Sequence, residues 1–239
     1  MKTITNEKLI QRRVQLARRT SLIGMGVLIA GLVASFNQDY YFLSLPALII
    51  GFILANISAY NANRYLKEPR PDQALTKALR GFDNNFRLFN YCAPIAHVLL
   101  TPSHLYTLTV KLQDGQIRKQ GGRWRRDFKL RRILFFFNEE ALGNPTRDAR
   151  DEAARMQQAL QKVLGEATPP VEPLIVFTHP NVQLQVAESA PGENGDVPAL
   201  TGGDLKKFLR AQPKGTPFTS EMRRQLAELL QGDVGVEAE

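Results

Sequence analysis

The stretch at residues 95–111, IAHVLLTPSHLYTLTVK, has the pattern of a hairpin that ends on a lysine. Its alternating residues and the turn TPSH predict two antiparallel strands. Carboxylates ahead of such a lysine could hold a divalent metal ion, which activates water, while the lysine stabilises developing negative charge. No Asp or Glu occurs in the stretch. The hairpin has therefore either lost this chemistry or never had it.

The neighbouring segments predict the elements that would position the hairpin. Apolar residues three and four apart predict a helix over residues 74–91, and QIRKQGGRW predicts a third strand after the hairpin. GNPTRDARDEAARMQQALQKVL predicts a long helix that is capped by Asn144 and has Pro145 as its first residue. The buried stripe of this helix is expected to comprise Ala149, Ala153, Met156, Leu160 and Val163.

The rest of the chain completes an α/β pattern. LIVFTH, residues 174–179, predicts a buried strand, and VQLQVA predicts a further one. Two helices, GGDLKKFLRAQ and TSEMRRQLAELLQ, precede an acidic tail. The order helix, three strands, helix, strand is typical of an α/β fold in which a crossover helix returns the chain to the sheet. We expect one domain over residues 74–212, followed by a C-terminal helix and tail over residues 213–239.

Composition limits the function classes further. The chain has 239 residues, a formal net charge of +8 and a single cysteine, Cys92. One cysteine excludes an internal disulfide framework and a cysteine-rich zinc site. TGGDLKK at residues 201–207 predicts a helix start and lacks the pattern of a phosphate-binding loop. The basic excess favours anionic partners, either nucleic acid or the inner leaflet of a membrane.

Two apolar runs without charged residues predict a transmembrane hairpin with helices at about residues 21–36 and 41–60. A signal peptide would have one apolar core followed by a cleavage site, and buried core helices rarely lack charge on every face. A basic N-terminal segment, residues 1–20, precedes the hairpin. A charged, Pro-rich linker, residues 61–73, follows it.

The flanking charges predict how this hairpin is oriented. Lysine and arginine flank both runs, whereas the loop between the runs carries only Asp39. Because cytoplasmic flanks carry the positive excess, both termini are expected in the cytoplasm of a bacterium. The expected protein is therefore a two-pass protein of the inner (cytoplasmic) membrane, with the lipid bilayer as its first partner.

Small residues at helical spacing form one ridge on each apolar run. These ridges are expected to pack against each other within the hairpin, because an intramolecular contact benefits from a high effective concentration. A homo-oligomer that forms through the same faces is the alternative. The ridge residues are Gly26, Ala30 and Ala34 on the first run, and Ala47, Gly51 and Ala55 on the second.

The hairpin and the elements after it resemble the nuclease-related domain family, NERD, which has the restriction-endonuclease-like fold and PD-(D/E)xK chemistry. A family pattern close to I-D-H-V-V-V-S-P-S-G and then V-I-E-T-K aligns without a gap on IAHVLLTPSH and LYTLTVK. The DG before QI, the NP that opens the long helix, and LIVFT match later family features. The resemblance covers roughly residues 74–210. It implies a restriction-endonuclease-like mixed sheet with flanking helices, here preceded by the transmembrane hairpin.

The motif that carries the family's chemistry is degenerate in this chain. The metal-binding Asp of the family falls on Ala96 and its Glu on Thr109, so that only the lysine remains, as Lys111. A further family Glu, on the first helix, has Asn85 as its nearest match. Magnesium takes oxygen ligands, usually including one or two carboxylates, which a methyl group or a lone hydroxyl does not replace. Lys111 is therefore expected to lack anionic neighbours from the motif, and no metal or other cofactor is expected.

The resemblance and the degenerate motif together imply a membrane-anchored nuclease-related domain that is catalytically inactive and acts as a binding or scaffold module. The alternative is an Mg²⁺-dependent nuclease, acting on DNA or RNA, whose acidic ligands have moved within the fold. His97 is expected on the opposite strand face and Asp114 beyond the strand. Carboxylates within reach of Lys111 in a structure would favour the alternative, and their absence would favour the inactive domain.

A dense basic run at residues 118–132 is the candidate for binding anions. Basic residues interleaved with Trp124 and Phe128 suit nucleic-acid phosphates and bases, and they suit anionic lipid headgroups equally well. A solvated edge with Trp124 in the core would give the same pattern. The residues expected to bind are Arg118, Lys119, Arg123, Trp124, Arg125 and Arg126.

Overall fold

The computed structural model describes residues 1–120, 122–127, 141–186, 196–213 and 215–232. The segment RRILFFFNEE and the acidic tail from residue 233 on lie outside these described residues. The described residues fall into two compact units. Residues 1–6 and those from 71 onward form the first unit, and residues 7–70 form the second.

The helices and strands alternate along the chain as in a mixed α/β protein. In chain order they are β1 (Lys2–Thr5), α1 (Glu7–Ser35), α2 (Ser44–Asn61), α3 (Pro71–Ala78), β2 (Arg87–Asn90), β3 (His97–Leu100), β4 (Leu105–Lys111), β5 (Gly115–Gln120), β6 (Arg123–Arg126), α4 (Pro145–Leu164), β7 (Val171–Phe177), β8 (Val182–Val186), β9 (Ala199–Thr201), α5 (Gly202–Ala211) and α6 (Ser220–Gln231).

A six-stranded sheet with the order β1-β2-β3-β4-β7-β9 forms the centre of the first unit. The pairs β1/β2, β4/β7 and β7/β9 are parallel, whereas β2/β3 and β3/β4 are antiparallel. The three-stranded sheet β6-β5-β8 is separate from it. The predicted α/β class with a mixed sheet and flanking helices is therefore confirmed.

Helices cover both faces of the six-stranded sheet. On one face, leucines of α3 and α5 pack with Leu88, Leu99 and Leu108 of the strands. On the other face, α4 and α6 pack on Phe89 and Val98 with their neighbours. Because each fully buried Leu or Phe side chain contributes about 1.5–3 kcal/mol, these two apolar layers hold the helices on the sheet.

The predicted helix over residues 74–91 is wrong in its second half. Helix α3 ends at Ala78, Gly81 follows with a φ of +96°, and β2 begins at Arg87. Leu88 and Phe89 of β2 are buried in the sheet, where β2 pairs with strands on both sides. Tertiary strand pairing has overridden the local helical periodicity.

Two smaller predictions also differ from the structure. QIRKQGGRW, predicted as one strand, is part of two antiparallel strands, β5 and β6, joined at Gly122, which has a φ of +76°. Helix α4 has the predicted Asn144 cap and Pro145 start. Four of its five predicted stripe residues are buried, but Val163 is 56% exposed, in the last turn of the helix.

The second unit contains two helices that are long and apolar enough to cross a membrane, by length and composition. In the most apolar 18-residue window of each helix, the buried share is 22% for the first helix and 6% for the second. A core helix of a soluble protein would be mostly buried, whereas here side chains such as Leu22 and Leu45 are exposed. This exposure fits the predicted membrane hairpin.

The two helices approach each other through glycines. A Cβ atom placed on Gly31 would lie 2.5 Å from Ala47 Cβ, and one on Gly24 would lie 3.1 Å from Leu54 Cβ. On α2 the predicted ridge makes this contact through Ala47. On α1 the predicted ridge is wrong as the packing face, because the contact is made by Gly24 and Gly31 instead. A Cβ atom placed on Gly26 of that ridge would meet nothing within 4 Å, because the contacting face of α1 is rotated from it.

The N-terminal residues contribute to both units. Residues 1–20, predicted as one basic segment, divide between β1 and the first part of α1. β1 pairs in parallel with β2, and Asn6 N donates to Asn90 O at 3.0 Å. At the other end of the chain, α6 packs in the core of the first unit through Leu226 and Leu230. The helical hairpin is thus an insertion between two neighbouring strands of one sheet.

Replacing Gly31 by leucine is expected to weaken the packing of α1 on α2 by about 1–3 kcal/mol, since the added side chain has no room beside Ala47. Thermal unfolding of the detergent-solubilised chain should show a lower midpoint. Gly26→Leu is the matched control and should leave the midpoint unchanged, because its position is open. Equal midpoints for the two variants would contradict this packing.

Candidate functional site

The hairpin of β3 and β4 holds the degenerate motif at the centre of the sheet. β4 pairs with β3 on one side and with β7 on the other. Thr109 and Lys111 are two residues apart on β4, so their side chains lie on the same face. Lys111 is only 8% exposed. An ammonium group at such a position requires a partner of opposite charge.

Helix α4 supplies that partner. Lys111 Nζ donates a hydrogen bond to Asp148 Oδ2 at 2.7 Å, and Thr109 Oγ1 donates to Glu152 Oε2 at 2.5 Å. The two acidic residues are one turn apart and therefore lie on one side of the helix. The motif positions Ala96 and Thr109 supply no carboxylate to Lys111, and its anionic neighbour Asp148 comes from another element, helix α4.

Local sequence explains why α4 reaches the strand. Asn144 caps the helix, and its side-chain oxygen accepts a hydrogen bond from Arg147 N at 3.2 Å. Ala149 and Ala153 are buried, and their short side chains allow the helix to lie close to the sheet. Asp148 and Glu152 each precede one of these alanines, so they are carried to the margin of the buried stripe.

The site is closed on the sheet side and open on the helix side. The side chain of Lys111 is 10% exposed, whereas that of Asp148 is 43% exposed. A solvent-borne ion or phosphate can therefore reach the carboxylate without displacing the core. The half-exposed position also reduces the desolvation penalty that a fully buried ion pair would carry.

The other motif positions contribute no carboxylate. Ala96 precedes β3, and its carbonyl accepts a hydrogen bond from Tyr91 N at 2.7 Å. If the β3/β4 register is continued, Ala96 lies opposite Thr109, where a longer acidic side chain would have faced α4. Asn85 lies in an exposed turn after α3 and not on a helix, and its side-chain amide donates to Asp83.

His97 and Asp114, which are near the motif in sequence, also lie elsewhere. His97 is buried, and its Nδ1 is 2.9 Å from Asn90 Oδ1. Asp114 forms an ion pair with Arg126. Neither joins Thr109 and Lys111, as the strand alternation predicts for His97.

The candidate site contains two carboxylates, those of Asp148 and Glu152. In the part of the chain that the structure describes, no group of three or more His, Cys, Asp or Glu side chains could hold a metal ion. Magnesium, however, is often held by one or two carboxylates together with water and substrate phosphates. Thr107, on the same face of β4, has a buried hydroxyl without a hydrogen-bond partner among the described residues. Asp148 and Glu152 are thus the two carboxylates through which the described residues of this site would hold such an ion, together with water and phosphate.

Sequence reasoning missed Asp148 and Glu152, although a signal for them was present. The stripe of α4 was predicted, and the two acids occupy the positions immediately before its first two alanines. Acidic residues at a spacing of four beside an alanine stripe indicate carboxylates at the edge of a helix–sheet contact. What the sequence does not reveal is the strand that this edge faces.

Most cations of the predicted anion-binding run already have partners within the chain. Arg118 donates to Asp127 at 2.9 Å, and Lys119 and Arg126 form ion pairs with Asp196 and Asp114. Only Arg123 and Arg125 of the six predicted residues are exposed, on the same face of β6. Gly121 and the end of the run, residues 128–132 with Phe128, lie outside the described residues.

Trp124 takes part in the core of the small sheet. Its ring centroid is 5.8 Å from that of Phe177, and its Nε1 donates to Thr146 Oγ1 at 2.8 Å. The Lys119 ammonium lies 5.5 Å from the ring centroid. A ring held in this way links the β5/β6 hairpin to the start of α4.

Comparison with known proteins identifies one related family. A family model described as "Nuclease-related domain" (NERD) matches residues 57–178, just over half of the 239 residues. The match includes α3, the β3/β4 hairpin, α4 and β7, and hence all four residues Thr109, Lys111, Asp148 and Glu152. No curated protein matches the chain, and no solved structure matches it.

Replacing Asp148 by asparagine is expected to destabilise the first unit by about 1–3 kcal/mol, because the ammonium of Lys111 stays buried without a charged partner. The double variant Lys111→Met/Asp148→Asn should recover most of this loss, giving a coupling free energy of about 1–2 kcal/mol in urea unfolding.

Arg147→Gln is the matched control on the same helix. Its partner Asp151 is 3.6 Å away, but the two side chains are 79% and 62% exposed. An exposed pair contributes about 0–1 kcal/mol, so this variant should unfold almost like the parent. Additive effects of Lys111→Met and Asp148→Asn would show that the two side chains do not interact.

Proposed function

The chain belongs to the nuclease-related domain family, and we propose that it is a membrane-anchored member whose metal centre takes its carboxylates from helix α4. One observation carries this proposal: Asp148 and Glu152 meet Lys111 and Thr109 at hydrogen-bonding distance. Carboxylates within reach of Lys111 are the feature that separates a nuclease with relocated ligands from a domain without chemistry.

The roles of the residues follow from their positions. Asp148 and Glu152 would hold the cation through their carboxylate oxygens, with the Thr109 hydroxyl beside Glu152. A bound Mg²⁺ would activate water and screen the phosphate of DNA or RNA. Lys111, now paired with Asp148, supplies a positive charge that can stabilise negative charge developing on that phosphate. Because the Lys111 ammonium is held on a central strand, its position is fixed before a substrate arrives.

The second candidate is a catalytically inactive domain that acts as a binding or scaffold module. Ala96 and Thr109 at the acidic motif positions favour this second function. In this second function the ion pair is structural, and neither Mg²⁺ nor a nucleic-acid substrate is needed.

We place the protein in the inner membrane, with two passes and both termini in the cytoplasm. The positive flanks of the apolar helices support this orientation. The pairing of β1 with β2 supports the even number of crossings, since residues before and after the helical hairpin share one sheet. The bilayer is the first partner, and a homo-oligomer could form through Gly26, Ala30 and Ala34 on α1.

Metal-dependent cleavage is the activity that tests the proposed function. The detergent-solubilised chain should cleave DNA or RNA with Mg²⁺ or Mn²⁺ and not with EDTA. Lys111→Met, Asp148→Asn and Glu152→Gln should each lower the rate by about 10²-fold or more, since each removes a charge at the phosphate or the ion.

Asp151→Asn is the matched control, an exposed acid of the same helix, and should leave the rate unchanged. A parent chain without metal-dependent cleavage would favour the inactive module. Cleavage that survives Asp148→Asn and Glu152→Gln would contradict the relocated ligands while leaving a nuclease elsewhere in the fold.

The proposed topology predicts the activity of fused reporters. A reporter that is active only outside the cytoplasm should stay silent after Glu239 and become active within the loop NQDY, residues 37–40. A reporter that fluoresces only in the cytoplasm should give the reverse pattern. The opposite result for both reporters would overturn the orientation.

A further inference from the structure

Helix α5 carries three cations that form no ion pair with another described residue: Lys206, Lys207 and Arg210. Lys206, Lys207 and Arg210 line a solvent-open groove of about 510 Å³ together with Gly203 and Ala211. No acidic residue lines this groove among the described residues. We infer that the α5 groove, defined by these five residues, binds the phosphodiester backbone of nucleic acid.

The charges of the α5 groove are held in place without being neutralised. Lys206 Nζ donates to the backbone carbonyl of Arg80 at 2.8 Å, which positions the ammonium but leaves its charge uncompensated. The Arg210 guanidinium lies 5.8 Å from the ring centroid of Phe82. Lys207 is exposed and has no ion pair within the described residues. The three cations therefore remain free to bind phosphate oxygens.

Two acids near the α5 groove, Asp204 on the helix itself and Asp83 next to Phe82, accept hydrogen bonds from nearby residues. Asp204 Oδ2 accepts a hydrogen bond from Thr201 Oγ1 at 2.6 Å, at the start of the helix. Both carboxylate oxygens of Asp83 accept hydrogen bonds from Asn85. The β5/β6 hairpin differs from the α5 groove in this respect, because three of the basic residues predicted to bind anions there form ion pairs with aspartates.

An aromatic pair next to the groove favours nucleic acid over other polyanions. Phe82 and Phe86 stack with ring centroids 4.2 Å apart, and both are half-buried, so part of their surface can contact a base. Surfaces that bind nucleic acid without sequence preference commonly combine cations with aromatic rings on which bases stack.

The test uses the full chain in nanodiscs of neutral phosphatidylcholine, with EDTA to exclude metal-dependent cleavage. Binding of a fluorescent oligodeoxythymidylate is followed by anisotropy over a range of NaCl concentrations. Lys207→Ser/Arg210→Ser should lower the affinity by about tenfold or more. It should also reduce the slope of log K against log [NaCl] by about 1.4, since each single-strand phosphate contact contributes about 0.7.

Two variants separate the α5 groove from a general effect of charge. Arg123→Ser/Arg125→Ser removes the same charge from the exposed face of β6 and should change both quantities much less. Lys207→Arg/Arg210→Lys keeps the charge and should bind like the parent, which shows that the fold is intact. Equal losses for the α5 and β6 pairs, or no loss for the α5 pair, would overturn the proposal.

One more arm distinguishes lipid phosphate as the occupant. Nanodiscs that contain phosphatidylglycerol should leave a clear difference in oligonucleotide affinity between the parent and Lys207→Ser/Arg210→Ser. If anionic discs abolish that difference, headgroups displace the oligonucleotide from the groove, and the assignment of nucleic acid as its occupant in an anionic membrane is wrong. Because EDTA is present throughout, the outcome is independent of the proposed metal centre.

Discussion

The ammonium group of Lys111, buried on a central strand, is the constraint on which the candidate site depends. The charge has to be balanced where it is, and the neighbouring strand positions carry an alanine and a threonine. Helix α4 provides the balance through Asp148, and Glu152 satisfies the hydroxyl of Thr109 one turn further along. The close approach of α4 through its buried alanines is thus as much a part of the site as the hairpin.

The acidic residues of the motif are absent, yet carboxylates from α4 lie beside Lys111 and Thr109. Replacing a buried ion pair by apolar residues is often neutral or stabilising, so stability alone gives little reason to retain Lys111 with a carboxylate. A lysine, two carboxylates and hydroxyls that lie together on one face of a sheet are groups that phosphate chemistry can use. The two apolar helices form the second unit, and in the chain they are inserted between β1 and β2 without interrupting the pairing of these strands.

The sequence predicted those elements whose signals are local. The hairpin turn, the Asn144 cap and the stripe of α4 depend on neighbouring residues, and they agree with the structure. The contacts between Thr109 and Glu152, 43 residues apart, and between Lys111 and Asp148, 37 residues apart, depend on how the helix crosses the sheet. The helix predicted beyond Gly81 was wrong because β2 is stabilised by partners on both sides.

The most direct test of the central claim is to locate a divalent ion. Crystals of the chain soaked in Mn²⁺ would be measured at the manganese absorption edge, so that anomalous scattering marks the ion without reference to activity. The relocated carboxylates predict a peak in coordinating contact with Asp148 and Glu152, on the α4 side of Lys111, which is lost in Asp148→Asn. No peak there, with the Lys111–Asp148 pair unchanged, would contradict the account and leave the pair as a structural replacement for the lost motif.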